Sequence, residues 1–350
     1  MRTVIAALLA FAAGIVLMLL LPGRAPAPAP IPSTAPTVAA GSTASQPARA
    51  ASSVVPDDDD NGGDDAGWRN WPERAPTPEQ VIYDQPALMH DALARLGPRV
   101  PGKPNLYLVA FAGDGGEDVF RNEAEYAAEL FTRRFGPTAH ALVLENNPAT
   151  LASHPLADWS NLETALDGLA RAMRPDDILL LYLTTHGSED HQLLVDMDPL
   201  PLDPIGAQDL PGILAEHPFK WKVVVVNACY SGGFIPPLKG DGTLVMTAAR
   251  GDRSSFGCGS ESDITYFGHA WLVDALNRTD DFMAAFRQAR SEIAGWERRD
   301  KLTPSEPQIE VGKGIEAQLA AWRRNVVPGP AVPFKPAAPA AASSAAAPAH

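Results

Sequence analysis

Cysteine is scarce in this chain, with only Cys229 and Cys258 among 350 residues. Two cysteines cannot build a disulfide-rich scaffold or a four-cysteine zinc site, although one Cys229–Cys258 bridge is chemically allowed. Basic residues are also few, 28 against 42 acidic ones, for a net charge of −14. That balance excludes a general nucleic-acid binder, which needs a basic face. Nucleotide motifs are missing too. Gly113-Asp114-Gly115-Gly116-Glu117-Asp118 starts like a dinucleotide loop, but its third glycine position holds Asp118, and there is no phosphate-binding P-loop. The acidic run Asp57–Asp65 lacks the spacing and the closing glutamate of a calcium loop, so it reads as a solvated linker. No internal repeat is visible.

One long apolar run is present. Val4 to Leu21 is uninterrupted, with Arg2 before it and Pro22-Gly23-Arg24 after it. About 18 apolar residues exceed a usual secretory core and suffice to span a bilayer, so residues 1–22 are expected to be a signal-anchor or a signal peptide. Either role puts the globular part outside the cytoplasm. It is membrane-anchored, facing a periplasm-like or cell-envelope space, if the run is retained, and secreted if it is cleaved. Residues 22–56 hold eight prolines and 328–350 hold six, among little but small residues. Such stretches cannot bury enough apolar surface to offset chain entropy. The expected division is therefore 1–22, a disordered linker over 23–67, a single body over 68–326 and a disordered tail over 327–350.

The body alternates in the manner of an α/β sheet. Thr77-Pro78-Glu79-Gln80 forms a helix-opening capping box. Strands are expected at Leu106–Ala112, around Leu142–Leu144, and at Ile178–Leu183, Val223–Val226 and Leu244–Thr247. Their continuous apolar runs suit strands covered on both faces. Helices are expected over 120–135, from a second capping box at Ser160–Glu163 to Met173, over 265–277 and over 280–298, with an edge strand at Gln308–Val311. Ligands of parallel sheets bind beyond the carboxyl ends of the strands. There the chain places Thr184-Thr185-His186-Gly187-Ser188 and Asn227-Ala228-Cys229-Tyr230-Ser231-Gly232-Gly233. If those strands are neighbours, His186 and Cys229 face one crevice. A thiol beside an imidazole that takes its proton is a nucleophile, and the amides of Gly187 and Cys229 are placed to receive an oxyanion.

LLLYLTTHGSEDHQLLV, VVVVNACYSGGF and MTAARGDRSSFGC resemble the legumain-type cysteine peptidases of family C13, as do VAFAGDGGEDVFRNEAEYAAELF upstream and TYFGHAWLVDAL downstream. The resemblance covers roughly residues 105–277. It implies a caspase-like three-layer α/β sandwich with a mostly parallel sheet and helices on both faces. It further implies a His186/Cys229 dyad that cleaves peptide or protein substrates without metal or organic cofactor. Gly187 and Cys229 would form the oxyanion hole, with Arg121, Ser254 and Ser255 around the specificity pocket. The chain departs from the family pattern at three places. Asn227 stands where legumains carry a glutamate, His269 where the pocket aspartate falls, and Val119 near the asparagine that helps orient the histidine. With both pocket acids absent and Arg121 retained, the pattern argues against selection of asparagine and is compatible with an acidic or polar residue. Two other functions stay open on the same residues: a transpeptidase in which an amine captures the acyl-enzyme, and a non-catalytic binding module on a peptidase-like scaffold. The oligomeric state is not legible.

Overall fold

The computed structural model describes residues 71–72 and 75–337. The apolar run Val4–Leu21, the acidic run Asp57–Asp65 and the tail from residue 338 lie outside the described residues. Among the described residues, no helix is long and apolar enough to cross a membrane.

Helix α1, Pro78–Ala94, opens with the expected box: Gln80 N–H donates to Thr77 Oγ1 at 3.3 Å and Thr77 N–H to Gln80 Oε1 at 2.9 Å. Strand β1 (Leu106–Ala112), helix α2 (Asp118–Arg134), β2 (Ala139–Glu145), α3 (Trp159–Ala172) and β3 (Ile178–Thr184) follow. Next come the two-residue strands β4 (Gln192–Leu193) and β5 (Ile205–Gly206), helix α4 (Leu210–Ala215) and β6 (Trp221–Asn227). After the short helix α5 (Ile235–Leu238) and β7 (Thr243–Thr247), helix α6 (Tyr266–Gly268) continues as a wider π-helical stretch over His269–Ala275. Helix α7 (Phe282–Asp300), strand β8 (Gln308–Val311) and helix α8 (Ile315–Arg323) complete the body.

The main sheet runs β2-β1-β3-β6-β7-β8. Its first five strands are parallel and only β8 is antiparallel. The apolar runs are continuous because both faces are covered. Leu180, Tyr182, Val223 and Val225 point to one core with Phe120 and Phe131 of α2, Trp271, Phe286 of α7 and Trp322 of α8. Leu181, Leu183, Val224 and Val226 point to a second core with Met89 of α1, Leu162 and Leu166 of α3 and Ile213 of α4. Burying each such side chain contributes about 1.5–3 kcal/mol before chain entropy is counted. The molecule is thus a mixed α/β fold with a six-stranded, mostly parallel sheet and helices around it, consistent with the caspase-like sandwich.

Two local expectations are corrected. Helix α3 is capped by Asp158, whose carboxylate accepts from Asn161 N–H at 2.7 Å, and Ser160 lies inside the first turn. Asp158 satisfies the same free amides two residues earlier, so the Ser160 box is not used. The chain beyond 326 also does not leave the body at once. Val332 is buried, the Tyr126 hydroxyl donates to its carbonyl at 2.8 Å, and Arg134 Nη1 donates to the Gly329 carbonyl at 2.7 Å. The ordered body therefore extends to Ala337, whose N–H donates to Asn122 Oδ1 at 3.0 Å.

Candidate active site

The register of β3 and β6 brings the two strand ends together. Thr184 pairs with Asn227, the last residue of each strand. His186 and Cys229 each stand two residues beyond that pair, so equal overhangs carry both to the same edge of the sheet. Thr185 N–H donates to the Asn227 carbonyl at 3.3 Å and extends the alignment by one step.

Beyond the strands, the backbone turns sharply. Tyr230 adopts a left-handed conformation, φ 56°, directly after Cys229. Non-glycine residues rarely hold that geometry without support. Here Tyr230 N–H donates to the Arg253 carbonyl at 2.7 Å, and the Tyr230 carbonyl accepts from Gly233 N–H at 3.1 Å. Gly187 lies flush against the nucleophile's own peptide. A Cβ on Gly187 would overlap the Cys229 carbonyl oxygen and come within 3.1 Å of Ala228 Cβ. His186 and Ser188 make the neighbouring ladder bonds to Leu194 and Gln192, which leaves the Gly187 amide outside the pairing.

The Cys229 sulfur accepts from Ser255 N–H at 3.2 Å and lies 3.6 Å from Ser255 Oγ. Its thiol is held below the usual range. The chief cause is a hydrogen bond from Cys258; Ser255 and the nearby His186 charge act in the same direction, and burial opposes them. Cys258 is correspondingly pushed up, because it keeps the proton that it donates. Both cysteines are free, so the bridge allowed by composition is not formed. His186 Nε2 stands 3.3 Å from Asp114 Oδ2 and 3.7 Å from Glu117 Oε2. The edge of the Phe120 ring packs on the imidazole, with centroids 5.0 Å apart.

The pocket residues expected from sequence are distributed unevenly. Ser255 touches the sulfur, whereas Ser254 is exposed beside it. Asn227 is buried beneath the site and donates to Glu123, and to Thr265 Oγ1 at 2.8 Å. Glu123 accepts further bonds from the Tyr182 hydroxyl at 2.7 Å and from the Thr265 hydroxyl at 2.7 Å. Complete burial raises its carboxyl despite those three groups and Thr184, which oppose the shift. Arg121 is also buried, with Nη1 donating to Asn147 Oδ1 at 2.9 Å and Nη2 3.5 Å from Asp118 Oδ1. His269 borders this network, its N–H donating to the Thr265 carbonyl at 2.9 Å, and lines a surface cavity of about 500 Å³ with Thr265, Tyr266, Trp296 and Arg299; its Nδ1 is 3.3 Å from Asp274 Oδ2. Asp114, Glu117 and Glu123 have no catalytic role in the sequence reading, and Cys258 enters it only as a possible disulfide partner and a motif residue. The signal for the first two was two acids in a loop at a strand end, weighed there only as a nucleotide loop.

The model of the Peptidase C13 family matches residues 162–318. That match supports a relation to peptidase family C13. The matched stretch contains His186, Cys229, Ser254, Ser255 and His269, while Asp114, Glu117 and Arg121 precede it. The C13 match supports a peptidase, with peptide or protein as substrate. No curated protein matches the chain.

Proposed function

We propose that the protein is a cysteine endopeptidase working through Cys229 and His186. The observation that carries this reading is the equal overhang of the two residues beyond the paired Thr184 and Asn227, with a thiol poised toward the thiolate at one end. The Cys229 thiolate adds to the peptide carbonyl carbon, and the amides of Gly187 and Cys229 hold the resulting oxyanion. His186, carrying the thiol's proton, gives it to the departing amine as the C–N bond breaks. Water, deprotonated by His186, then hydrolyses the thioester and releases the acid. Ser254, Ser255, Arg121, Asn227 and His269 are the proposed pocket residues, Arg121 and Asn227 acting from behind the surface. The placement of the body outside the cytoplasm belongs to the same proposal and rests on the Val4–Leu21 run alone.

A positional peptide-cleavage scan tests the reading. Cleavage by the wild type, reduced at least about 1,000-fold in both Cys229→Ala and His186→Ala, is the expected outcome. Equal activity in wild type and Cys229→Ala would sink the proposal. Ligated product formed on adding an amine would move it to the transpeptidase.

A further inference from the structure

We infer that Asp114 is a positioning residue for His186, converting the proposed Cys229/His186 pair into a carboxylate-supported triad. The inference rests on the peptidase reading and adds to it a group outside the matched residues 162–318.

The contact is made at a defined nitrogen. With Asp114 Oδ2 at 3.3 Å, Nε2 of His186 is the nitrogen that carries the proton, which leaves Nδ1 as the basic one. The Phe120 edge restrains the same ring, so its plane is fixed from two directions. Val119, which falls near the position of the family's orienting asparagine, is buried in the core and has no polar atom to offer.

The carboxylate is itself held. Asp114 Oδ1 accepts from Gly116 N–H at 2.8 Å, and the Asp114 backbone bridges to Asp196. Gly115 N–H donates to the Asp196 carbonyl at 2.9 Å, and Asp196 N–H donates to the Gly113 carbonyl at 2.8 Å. Gly115 permits this approach, because a Cβ there would meet Met197 Sδ at 2.6 Å and the Asp196 carbonyl at 3.2 Å. Asp114 is 6% exposed, which limits screening of its charge.

The groups facing His186 and its carboxylate are acidic or thiol. Glu117 lies 3.7 Å from Nε2, Asp196 neighbours Asp114, and the Cys229 thiol, with Cys258 beside it, senses the His186 charge. Burial raises the Glu117 carboxyl, which weakens it as a second partner. In the cycle, the proton moves from Cys229 to Nδ1 and from there to the leaving amine, while Asp114 keeps the ring oriented and steadies the imidazolium without taking the proton.

The test compares the full-length protein with Asp114→Asn, which keeps the acceptor for Gly116 N–H and removes only the charge. The expected result is a kcat lower by roughly 10–100-fold, KM within about twofold, and an alkaline limb of the pH profile moved to lower pH. Unchanged kcat and pH profile would overturn the inference, as would lowered thermal stability with an unmoved profile. Iodoacetamide alkylation of Cys229, followed by mass spectrometry across pH, needs no substrate and separates the two readings. If no peptide is cleaved but Asp114→Asn shifts the alkylation profile, the peptidase reading fails and the positioning role stands; coincident profiles remove that role. Should Asp114→Asn fail to fold, nitrogen NMR of the wild-type His186 ring decides instead. The Nε2-protonated neutral tautomer supports the inference and the Nδ1-protonated one overturns it.

Discussion

At the residue scale, the second cysteine sets the state of the first. The neighbouring Cys258 thiol is the largest influence holding the Cys229 thiol down. Lowering a thiol below its usual range favours the thiolate near neutral pH, and removing the donor reverses the effect. Cys258→Ala removes that donor. The midpoint of Cys229 alkylation against pH is expected to rise in this variant by about one unit or more. An alanine variant that alkylates like the wild type would show that Ser255 and His186 suffice. None of this was legible in the chain, where Cys258 stood out only as a possible disulfide partner of Cys229 and as the end of the Ser-Ser-Phe-Gly-Cys string. That influence depends on the loop after β7 folding back over the strand ends, and spacing does not encode that.

At the scale of elements, the strands were the most legible part and the short pairings the least. ILLLYL and VVVV announce buried strands because each face of the sheet meets helices, so no polar residue interrupts them. The β4–β5 pair has two residues on each side, too few for any periodicity to show, and its position follows from Leu193 and Ile205 entering the second core. The end of β2 supplies a test of the electrostatics. Burial pushes the Glu145 carboxyl up from 4.5 to about 8, with neighbouring Glu125 adding to the shift and Thr150 and Arg121 opposing it. Burial also lowers His154, whose Nδ1 is 3.4 Å from Glu145, so near neutral pH that contact joins two uncharged groups. A carboxyl whose folded value is raised leaves stability intact below 4.5 and lowers it as pH climbs toward 8, since only the unfolded chain gives up its proton there. Glu145→Gln abolishes that slope. Urea unfolding at both ends of this window is expected to show the variant gaining on the wild type by an amount on the order of a few kcal/mol at the alkaline end. A constant difference between the two proteins across the window would refute the assignment.

At the scale of the molecule, composition misjudged where the body ends. The Ala/Pro-rich tail has no periodicity to betray burial, yet Val332 enters the core and Asn277 Oδ1 accepts from its N–H at 2.8 Å. Those partners lie on α2 and after α6, far away in sequence, so residues 327–337 are held by long-range contacts. Ending the chain at Val326 removes a buried valine and the acceptors of Tyr126 and Arg134. A loss of about 2–3 kcal/mol is expected in urea unfolding; a truncation at Val326 that unfolds like the full chain would refute it.

The spatial order of the sheet also differs little from the order in which the ribosome delivers it. Once β3 has joined β1, the strands β6, β7 and β8 add to one growing edge in the order in which they are made. Cys229 is therefore aligned with His186 by the β3–β6 pairing alone, whereas Ser255, Cys258 and Thr265 stand on the segment that follows β7. A chain paired only as far as β6 would have its nucleophile and base in line but neither the amide nor the thiol that steadies the sulfur. Full reactivity thus requires one strand more than alignment does.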